Sequence, residues 1–132
     1  MARIKHVAYI VEDLEKTGAF FEDLVGFRRA GHIRRAGNYP GSALDLTDGE
    51  INLTLLCPDP DVERRPWAYG TFGPNHIGIE TDRAAEIHTK LEQAGVELYA
   101  DGARERGFFK FKDPNGVEID ISPPGRWRIR PS

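Results

Sequence analysis

Alternating apolar and polar positions over residues 3–11 predict a β-strand near the start of the chain. Residues 14–25 then carry apolar side chains at helical spacing, and Gly26 ends the predicted helix because a residue without Cβ readily adopts a left-handed conformation. An Asp48-Gly49 pair is a strong signal for a tight hairpin turn between two strands. Strands are predicted over residues 27–35, 43–47 and 51–56. The first half is therefore predicted as β-α-β-β-β.

The same order of elements is predicted in the second half. A strand over residues 76–80 precedes a helix over residues 82–93, which Gly95 ends as Gly26 ends the first helix. Further strands are predicted over residues 96–100, 107–112 and 117–122. We therefore expect a single domain, residues 1–132, made of module 1 (about 3–57), a linker (58–73), module 2 (about 74–123) and a tail (124–132).

Each module opens on a strand that carries a histidine, His6 in the first and His76 in the second. The two histidines are 76 − 6 = 70 residues apart in a chain of 132. An apolar residue, a small residue, another apolar residue and then an acidic residue follow each of them. Two copies of one unit are the simplest interpretation.

Composition narrows the classes of partner and compartment. The formal net charge is −3, which gives no reason to expect nucleic acid or an anionic membrane as a partner. A single cysteine, Cys57, excludes an intramolecular disulfide and suits a reducing compartment. The sequence has neither an apolar run of transmembrane length nor a signal-peptide core. We therefore expect a cytoplasmic protein whose partner is a small molecule.

Three features resemble the vicinal oxygen chelate superfamily, which includes glyoxalase I, extradiol dioxygenases, methylmalonyl-CoA epimerase, and the fosfomycin and bleomycin resistance proteins. They are the duplicated unit with its two histidines, the segment VEDLEKTGAFFEDLVGF after the first strand, and DPNGVEIDIS near the end. The resemblance covers roughly residues 3–123. It implies an α+β fold in which two tandem βαβββ modules form an open barrel-like cavity.

The resemblance also implies where a metal would bind: the first and last strand of each module. His6 and His76 occupy the two first-strand places. In the last strand of module 2, the family has an acidic residue four positions after the turn glycine, which here is Asp120, and Glu118 on the same face is the alternative ligand. A lone strand histidine is more often structural, but two at equivalent places favour ligands.

The last strand of module 1 is the fourth place where the family can hold a metal ligand, and here it carries no carboxylate. Aligning residues 51–55 with residues 117–121 sets Thr54 opposite Asp120 and Asn52 opposite Glu118, so both positions are expected to line the cavity. Two imidazoles and one carboxylate suit non-haem Fe(II), which needs open positions. The extradiol dioxygenases, as the resemblance goes, use these same three places, so a dioxygenase with Fe(II) is favoured, and Mn, Ni or Zn remain alternatives. No acid/base residue is identified.

Two other functions stay open. A glyoxalase-type lyase, isomerase or epimerase would use the same metal with redox-neutral chemistry. As the resemblance goes, however, glyoxalase I carries a carboxylate ligand in the fourth place, where this chain has none. A metal-free protein that sequesters a ligand, like the bleomycin resistance proteins, is the alternative from another class. The resemblance further implies a homodimer, in which the metal site lies within one chain or is shared between two.

Other residues are candidates for contact with a substrate. Of the residues in the strand 107–112, either Phe109 and Phe111 or Phe108 and Lys110 face inward, and we take the first pair as cavity lining for an apolar or aromatic substrate. A tyrosine hydroxyl can donate to a bound oxyanion, and an arginine can pair with a carboxylate or phosphate. The candidates of these two kinds are Tyr39, Tyr69, Arg104 and Arg106.

Overall fold

The computed structural model describes residues 2–37, 39–65, 70–100 and 107–132. Within these ranges the chain forms two compact units. The first unit comprises His6–Asn75 together with Trp127–Ser132, and the second comprises His76–Arg126 together with the residues up to Lys5.

The first unit contains a helix between strands, in the order that the sequence predicts. Asp13 caps the first helix, since its side chain accepts a hydrogen bond from the backbone N–H of Lys16 at 3.0 Å. The helix continues into a π-helical turn, which ends at Gly26 with a φ of 89°. The elements are β1 (Arg3–Ile10), α1 (Leu14–Phe20), the π-turn (Phe21–Val25), β2 (Arg28–Arg29), β3 (Arg34–Arg35), β4 (Gly41–Thr47) and β5 (Asn52–Pro58).

The strands of the first unit form a mixed sheet in the order β2-β4-β5-β1, with β3 also paired to β4. β1 runs parallel to β5, with His6 opposite Asn52, and β4 runs antiparallel to β5, with Asp45 opposite Thr54. The strand predicted over residues 27–35 is broken into β2 and β3, and Gly31 between them has a φ of 122°. This break is a correction to the sequence prediction.

The second unit repeats the arrangement, with its strands in the order β6-β9-β8-β7. β6 runs parallel to β9, and β8 pairs antiparallel with both β9 and β7. The Asp113 side chain closes the turn between β8 and β9 by accepting from the backbone N–H groups of Asn115 and Val117. The elements are β6 (Gly73–Glu80), α2 (Ala84–Gln93), β7 (Leu98–Tyr99), β8 (Phe109–Lys112) and β9 (Glu118–Ser122).

One face of each sheet is apolar and packs against the helix of its unit. In the first unit the buried core comprises Val11, Leu14, Leu44, Leu46 and Leu55. In the second unit it comprises Ala84, Phe109 and Ile121. Because side chains alternate along a strand, the residues between these core positions point to the opposite face of each sheet. That opposite face carries a second apolar cluster in the first unit, Ala8, Ile10, Ala43 and Leu56, and the buried polar residues His6, Asp45, Asn52, Thr54, His76, Lys110 and Asp120.

The fold class is confirmed: the protein is α+β, with two βαβββ modules. Neither helix in the described ranges has the length and apolarity needed to cross a bilayer.

Gly41 provides a test of the β4–β5 pairing. A Cβ at this position would collide with the backbone carbonyl oxygen of Cys57, which is fixed by the sheet. We expect Gly41→Ala to lower the free energy of unfolding by about 1–3 kcal/mol, the cost of forcing extra volume into a packed site. Gly37→Ala is the matched control, because a Cβ there meets nothing within 4 Å. Equal urea midpoints for the two variants would contradict the close approach of the two strands.

Candidate metal centre

His76 lies at the centre of a buried polar cluster on β6 and β9 of the second unit. Parallel pairing sets Gly78 opposite Asp120, so His76, Glu118 and Asp120 share the face away from α2. Nδ1 of His76 lies 3.1 Å from Oε2 of Glu118, and Nε2 lies 3.4 Å from Oδ2 of Asp120. The sequence-predicted ligands His76 and Asp120 are therefore brought together, and both are buried.

Glu118 orients the His76 ring. As an imidazolium, the ring donates to both carboxylates. As a neutral imidazole with its hydrogen on Nδ1, whose contact with Glu118 is the shorter one, the ring has a lone pair at Nε2, and its hydrogen bond to Asp120, which needs a hydrogen on Nε2, is lost. A histidine that binds a metal through one nitrogen typically donates its other N–H to a carboxylate or carbonyl. Glu118 fits that supporting role, and His76 Nε2 and Asp120 fit the role of ligands.

Lys110 holds the second oxygen of Asp120. Its Nζ lies 2.6 Å from Oδ1 of Asp120 and 3.6 Å from Oε2 of Glu118. Burial raises the pKa of Asp120, but the hydrogen bond with His76 and the positive charge of Lys110 outweigh burial, so the pKa of Asp120 lies below its usual value. Asp120 is therefore ionised at neutral pH, the form in which a carboxylate binds a metal.

Tyr99 connects this cluster to a cavity. Its hydroxyl donates to Oε1 of Glu118 at 3.2 Å. Burial raises the pKa of Tyr99, and the negative charge of Glu118 raises it further, so the phenol remains a hydrogen-bond donor at neutral pH. The cavity beside it has a volume of about 330 Å³ and is lined by Val96, Glu97, Tyr99 and Lys112.

His6 occupies the corresponding place on β1 of the first unit. Its Nδ1 lies 2.6 Å from Oδ1 of Asn52, whose side chain is fully buried. The Nδ2 of Asn52 donates to the carbonyl oxygen of Arg128 at 2.8 Å and to Oδ1 of Asp45 at 3.2 Å, which assigns Oδ1 of Asn52 as an acceptor. The hydrogen of a neutral His6 therefore sits on Nδ1 and its lone pair on Nε2, as in His76.

Asp45 is a buried carboxylate that the sequence analysis missed. Arg34 donates to both of its oxygens, from Nε to Oδ2 at 2.9 Å and from Nη2 to Oδ1 at 3.1 Å, and Thr54 donates to Oδ1 at 2.8 Å. Burial raises the pKa of Asp45, but the hydrogen bonds from Arg34 and Thr54 outweigh it, and the net pKa is lowered. The available signal was alternation: Asp45 stands between Leu44 and Leu46, so it belongs to the face away from α1.

The segment Trp127–Ser132 packs on this polar face of the first unit. The indole of Trp127 stacks on the imidazole of His6, with ring centroids 5.1 Å apart and an interplanar angle of 7°. The guanidinium of Arg128 lies 3.5 Å from Oδ2 of Asp45. This segment belongs to the predicted tail, and it covers one face of the His6 ring.

The two phenylalanines predicted to line a cavity lie on the wrong face. Phe109 packs with Ala84 beneath α2, and Phe111 packs against the same core. The expectation that this pair faces inward is therefore corrected. Phe108 and Lys110 are the pair on the polar face, because the ion pair of Lys110 with Asp120 satisfies a charge on that side.

The remaining predicted residues fall into three groups. Asn52 and Thr54 lie beside His6 on the polar face of the first unit, and Thr54 donates to Oδ1 of Asn52 at 2.7 Å. Tyr39 packs against the small apolar cluster that contains Ala43. The other substrate-binding candidates lie outside the described residues: Tyr69, Arg104 and Arg106.

Comparison with known proteins defines the class. Residues 5–121 match the family model of the glyoxalase/bleomycin resistance protein/dioxygenase superfamily. This match spans most of the 132 residues, and the chain belongs to that superfamily.

The relatives include two named enzymes. The chain is 26% identical over 121 residues to glutathione transferase FosA from Serratia marcescens, covering 89% of this chain and 78% of that protein. It is 24% identical over 130 residues to mitochondrial methylmalonyl-CoA epimerase from Mus musculus, covering 92% and 72%. The crystal structure of methylmalonyl-CoA epimerase from Mycobacterium tuberculosis has a similar fold, with a TM-score of 0.74, 18% identity, and coverage of 92% of this chain and 87% of that chain.

The Asp45 network predicts a pH-dependent stability. We expect Asp45→Asn to lower the free energy of unfolding at neutral pH by about 1.5–3 kcal/mol, the range for a hydrogen bond to a charged group. Because the folded pKa lies below the usual value of 3.8, this contribution is complete above pH 3.8 and is lost as the pH falls through the folded pKa. Urea unfolding of wild type and variant over a pH series measures the difference.

Asp59→Asn is the control for that series, since Asp59 pairs with Arg35 at the surface and its removal should have little effect. A difference between wild type and Asp45→Asn that stays constant down to the lowest pH at which both fold would contradict the account.

The stacking of Trp127 on His6 predicts how readily a reagent in solution reaches the His6 imidazole. We expect Trp127→Ala to increase the labelling of His6 by diethyl pyrocarbonate severalfold, because the variant uncovers one side of the imidazole. Trp127→Phe keeps an aromatic ring there and should preserve most of the protection. Mass spectrometry gives the labelling at each histidine, and the exposed His32 serves as the internal reference. Equal labelling of His6 in wild type and Trp127→Ala would show that the indole does not shield it.

Proposed function

We propose that the protein is a metal-dependent enzyme in which His6, His76 and Asp120 hold one divalent metal ion. The observation that carries the proposal is the matched state of the two histidines. Each directs Nδ1 at a buried or half-buried acceptor, Asn52 or Glu118, and so presents Nε2 as the metal-binding atom. All three proposed ligands are buried, and each offers a ligand atom.

The donor set fits a divalent first-row metal. Two imidazoles and one carboxylate suit Fe(II), which we keep as first choice, as well as Mn, Ni or Zn. When bound, such a metal acts as a Lewis acid that lowers the pKa of substrate oxygens and stabilises negative charge on them. The chain contributes the orientation of its ligands through Asn52 and Glu118. It also contributes burial, which strengthens electrostatic interactions at the site.

For the reaction we favour redox-neutral chemistry on a small molecule with two adjacent oxygens: isomerisation, epimerisation or addition. The named relatives support this choice over oxygen insertion, since they are an epimerase and a transferase.

An extradiol-type dioxygenase is the second candidate. Thr54 itself, the counterpart of Asp120, supplies no carboxylate, which leaves a set of three protein ligands. Oxygen consumption with a panel of catechols, after loading with Fe(II) under anaerobic conditions, separates the two reactions. Rapid oxygen uptake with ring cleavage would favour the dioxygenase, and its absence would favour the redox-neutral reaction.

We also propose, from the sequence alone, that the enzyme is a cytoplasmic homodimer. If the site is shared between two chains, mixing His6→Ala with His76→Ala protein regenerates one intact metal site in each mixed dimer. If the site lies within one chain, the mixture binds no more metal than the separate variants do.

The metal proposal predicts the effect of single substitutions. We expect wild type, purified without chelator, to bind about one metal ion per chain and His6→Ala, His76→Ala and Asp120→Asn to lose affinity by about 100-fold or more, since each removes a ligand. His32→Ala is the matched control, because His32 is exposed and lies in the segment between β2 and β3. Inductively coupled plasma mass spectrometry and competition with a metal-binding dye measure content and affinity.

Metal-free wild-type protein that still binds an aromatic ligand stoichiometrically would refute the enzyme proposal in favour of a sequestering protein. Equal metal affinity in His76→Ala and His32→Ala would refute the assignment of the ligands.

A further inference from the structure

The C-terminal segment Trp127–Ser132 makes two separate contacts with the hydrogen-bonded pair of His6 and Asn52. The indole of Trp127 stacks on the imidazole of His6, with ring centroids 5.1 Å apart and planes 7° from parallel. The carbonyl oxygen of the next residue, Arg128, accepts a hydrogen bond from Nδ2 of Asn52 at 2.8 Å. One contact acts on the imidazole itself, and the other acts on the amide whose oxygen faces that imidazole.

The carbonyl of Arg128 helps to decide which way the Asn52 amide faces. Rotating an asparagine amide by half a turn exchanges its acceptor oxygen for its donor nitrogen. With Nδ2 directed at Arg128, Oδ1 of Asn52 faces Nδ1 of His6 at 2.6 Å. The reverse orientation would set two oxygens against each other at Arg128 and turn a donor toward His6. Asp45 favours the same orientation through a longer contact of 3.2 Å.

The second unit reaches the same state of its histidine in another way. Nδ1 of His76 faces Glu118, and an ionised carboxylate accepts hydrogen bonds through either oxygen, whichever way it is turned. Asn52 has a single side-chain oxygen, so the hydrogen of neutral His6 stays on Nδ1 only while the amide keeps its orientation. The contact with the C-terminal segment therefore supplies to module 1 what the carboxylate supplies to module 2.

The stack on Trp127 restrains the His6 ring without covering its metal-binding atom. The lone pair of Nε2 lies in the plane of the imidazole, and the indole lies nearly parallel to that plane, over one face. An imidazole that turned about its bond to Cβ would swing its edge into the indole. The contact therefore orients His6 and leaves Nε2 open.

The C-terminal segment is held to the first unit at further points. The guanidinium of Arg128 lies 3.5 Å from Oδ2 of Asp45, whose side chain is 2% exposed. The backbone N–H and the hydroxyl of Ser132 donate to the carbonyl oxygen of Arg29 at 2.8 and 3.1 Å. Arg29 belongs to β2, a strand of the sheet that also carries His6 on β1. The segment is thus fixed relative to the imidazole that it contacts.

We propose that Trp127 and the backbone carbonyl of Arg128 are positioning elements of the metal site, which hold His6 in the orientation and tautomer in which Nε2 binds the metal. This inference rests on the proposed metal site. It assigns a role in metal binding to a segment that supplies no ligand. Partners that orient a ligand typically change metal affinity by about 10- to 100-fold when they are removed.

Nitrogen-15 NMR of the metal-free protein tests the tautomer, because the shifts of the two ring nitrogens differ between the two neutral forms. At about pH 8, where an ordinary histidine is neutral, we expect the hydrogen of His6 on Nδ1 in wild type. In Trp127→Ala we expect a severalfold larger share of the form with the hydrogen on Nε2, because the amide of Asn52 and the ring are both less restrained. His76 is the internal reference and should not change.

Zn(II) affinity, measured by competition with a metal-binding dye, tests the role in metal binding. Sites rich in imidazole bind Zn(II) more tightly than Mn(II) or Fe(II), so Zn(II) is a sensitive probe. We expect Trp127→Ala and Trp127→Leu to bind Zn(II) about tenfold more weakly than wild type, and Trp127→Phe to restore most of the affinity. The leucine variant keeps apolar bulk for folding but has no ring to stack. Arg130→Ala changes an exposed residue of the same segment and is the matched control.

The outcomes separate this inference from the metal site. Failure of wild type to bind Zn(II) refutes both. A wild type that binds Zn(II) but carries the hydrogen of neutral His6 on Nε2 refutes the inference alone, and that measurement needs no variant.

The variants supply two further outcomes that overturn the inference. Wild-type tautomer and Zn(II) affinity in folded Trp127→Ala or Trp127→Leu would make Trp127 purely structural, since such a residue changes the free energy of unfolding and nothing else. Tighter binding of Zn(II) by either variant would show that the indole obstructs the site.

Discussion

A carboxylate that leaves water must be compensated, and each unit of this protein is arranged around one such group. In the second unit, one carboxylate oxygen of Asp120 contacts His76 and the other contacts Lys110. In the first unit, both carboxylate oxygens of Asp45 accept hydrogen bonds from Arg34. Without these partners the buried charge would cost several kcal/mol, and protonation or unfolding would follow. The polar face of each sheet is therefore a set of compensated charges, and the proposed chemistry depends on it.

The two modules share one pattern of strand pairing, but the buried acidic residue lies on a different strand in each. Register places Asp45 on β4 opposite Thr54 on β5, and Lys110 on β8 opposite Asp120 on β9. The acid is on the inner of the two strands in module 2 and on the outer one in module 1. The histidines are conserved between the modules in both position and hydrogen bonding, with Asn52 and Glu118 as equivalent acceptors. The metal site that we propose would draw one imidazole from each module and its carboxylate from module 2.

Local patterns in the sequence predicted the helices and most strands, but not which side chains of β8 face the apolar core. Strand alternation and glycine stops located the helices and the histidine strands, because those signals lie within a few residues. In Phe108-Phe109-Lys110-Phe111 each face carries an aromatic residue, and only the position of Asp120 on the neighbouring strand decides that the lysine is buried. The role of Asp45 depends on Arg34, which reaches it across the break between β2 and β3, and the Trp127 contact with His6 joins residues 121 positions apart (127 − 6). Such pairings are absent from any local window.

The central claim is that one metal ion is bound by both histidines through Nε2 together with Asp120. X-ray absorption spectroscopy at the edge of the bound metal tests it most directly, because imidazole rings give a multiple-scattering pattern that counts them. We predict two imidazoles and oxygen ligands in wild type, with one imidazole left in whatever metal His6→Ala or His76→Ala retains at high metal concentration. A wild-type spectrum with no imidazole, or with a single imidazole that persists unchanged in His76→Ala, would contradict the account.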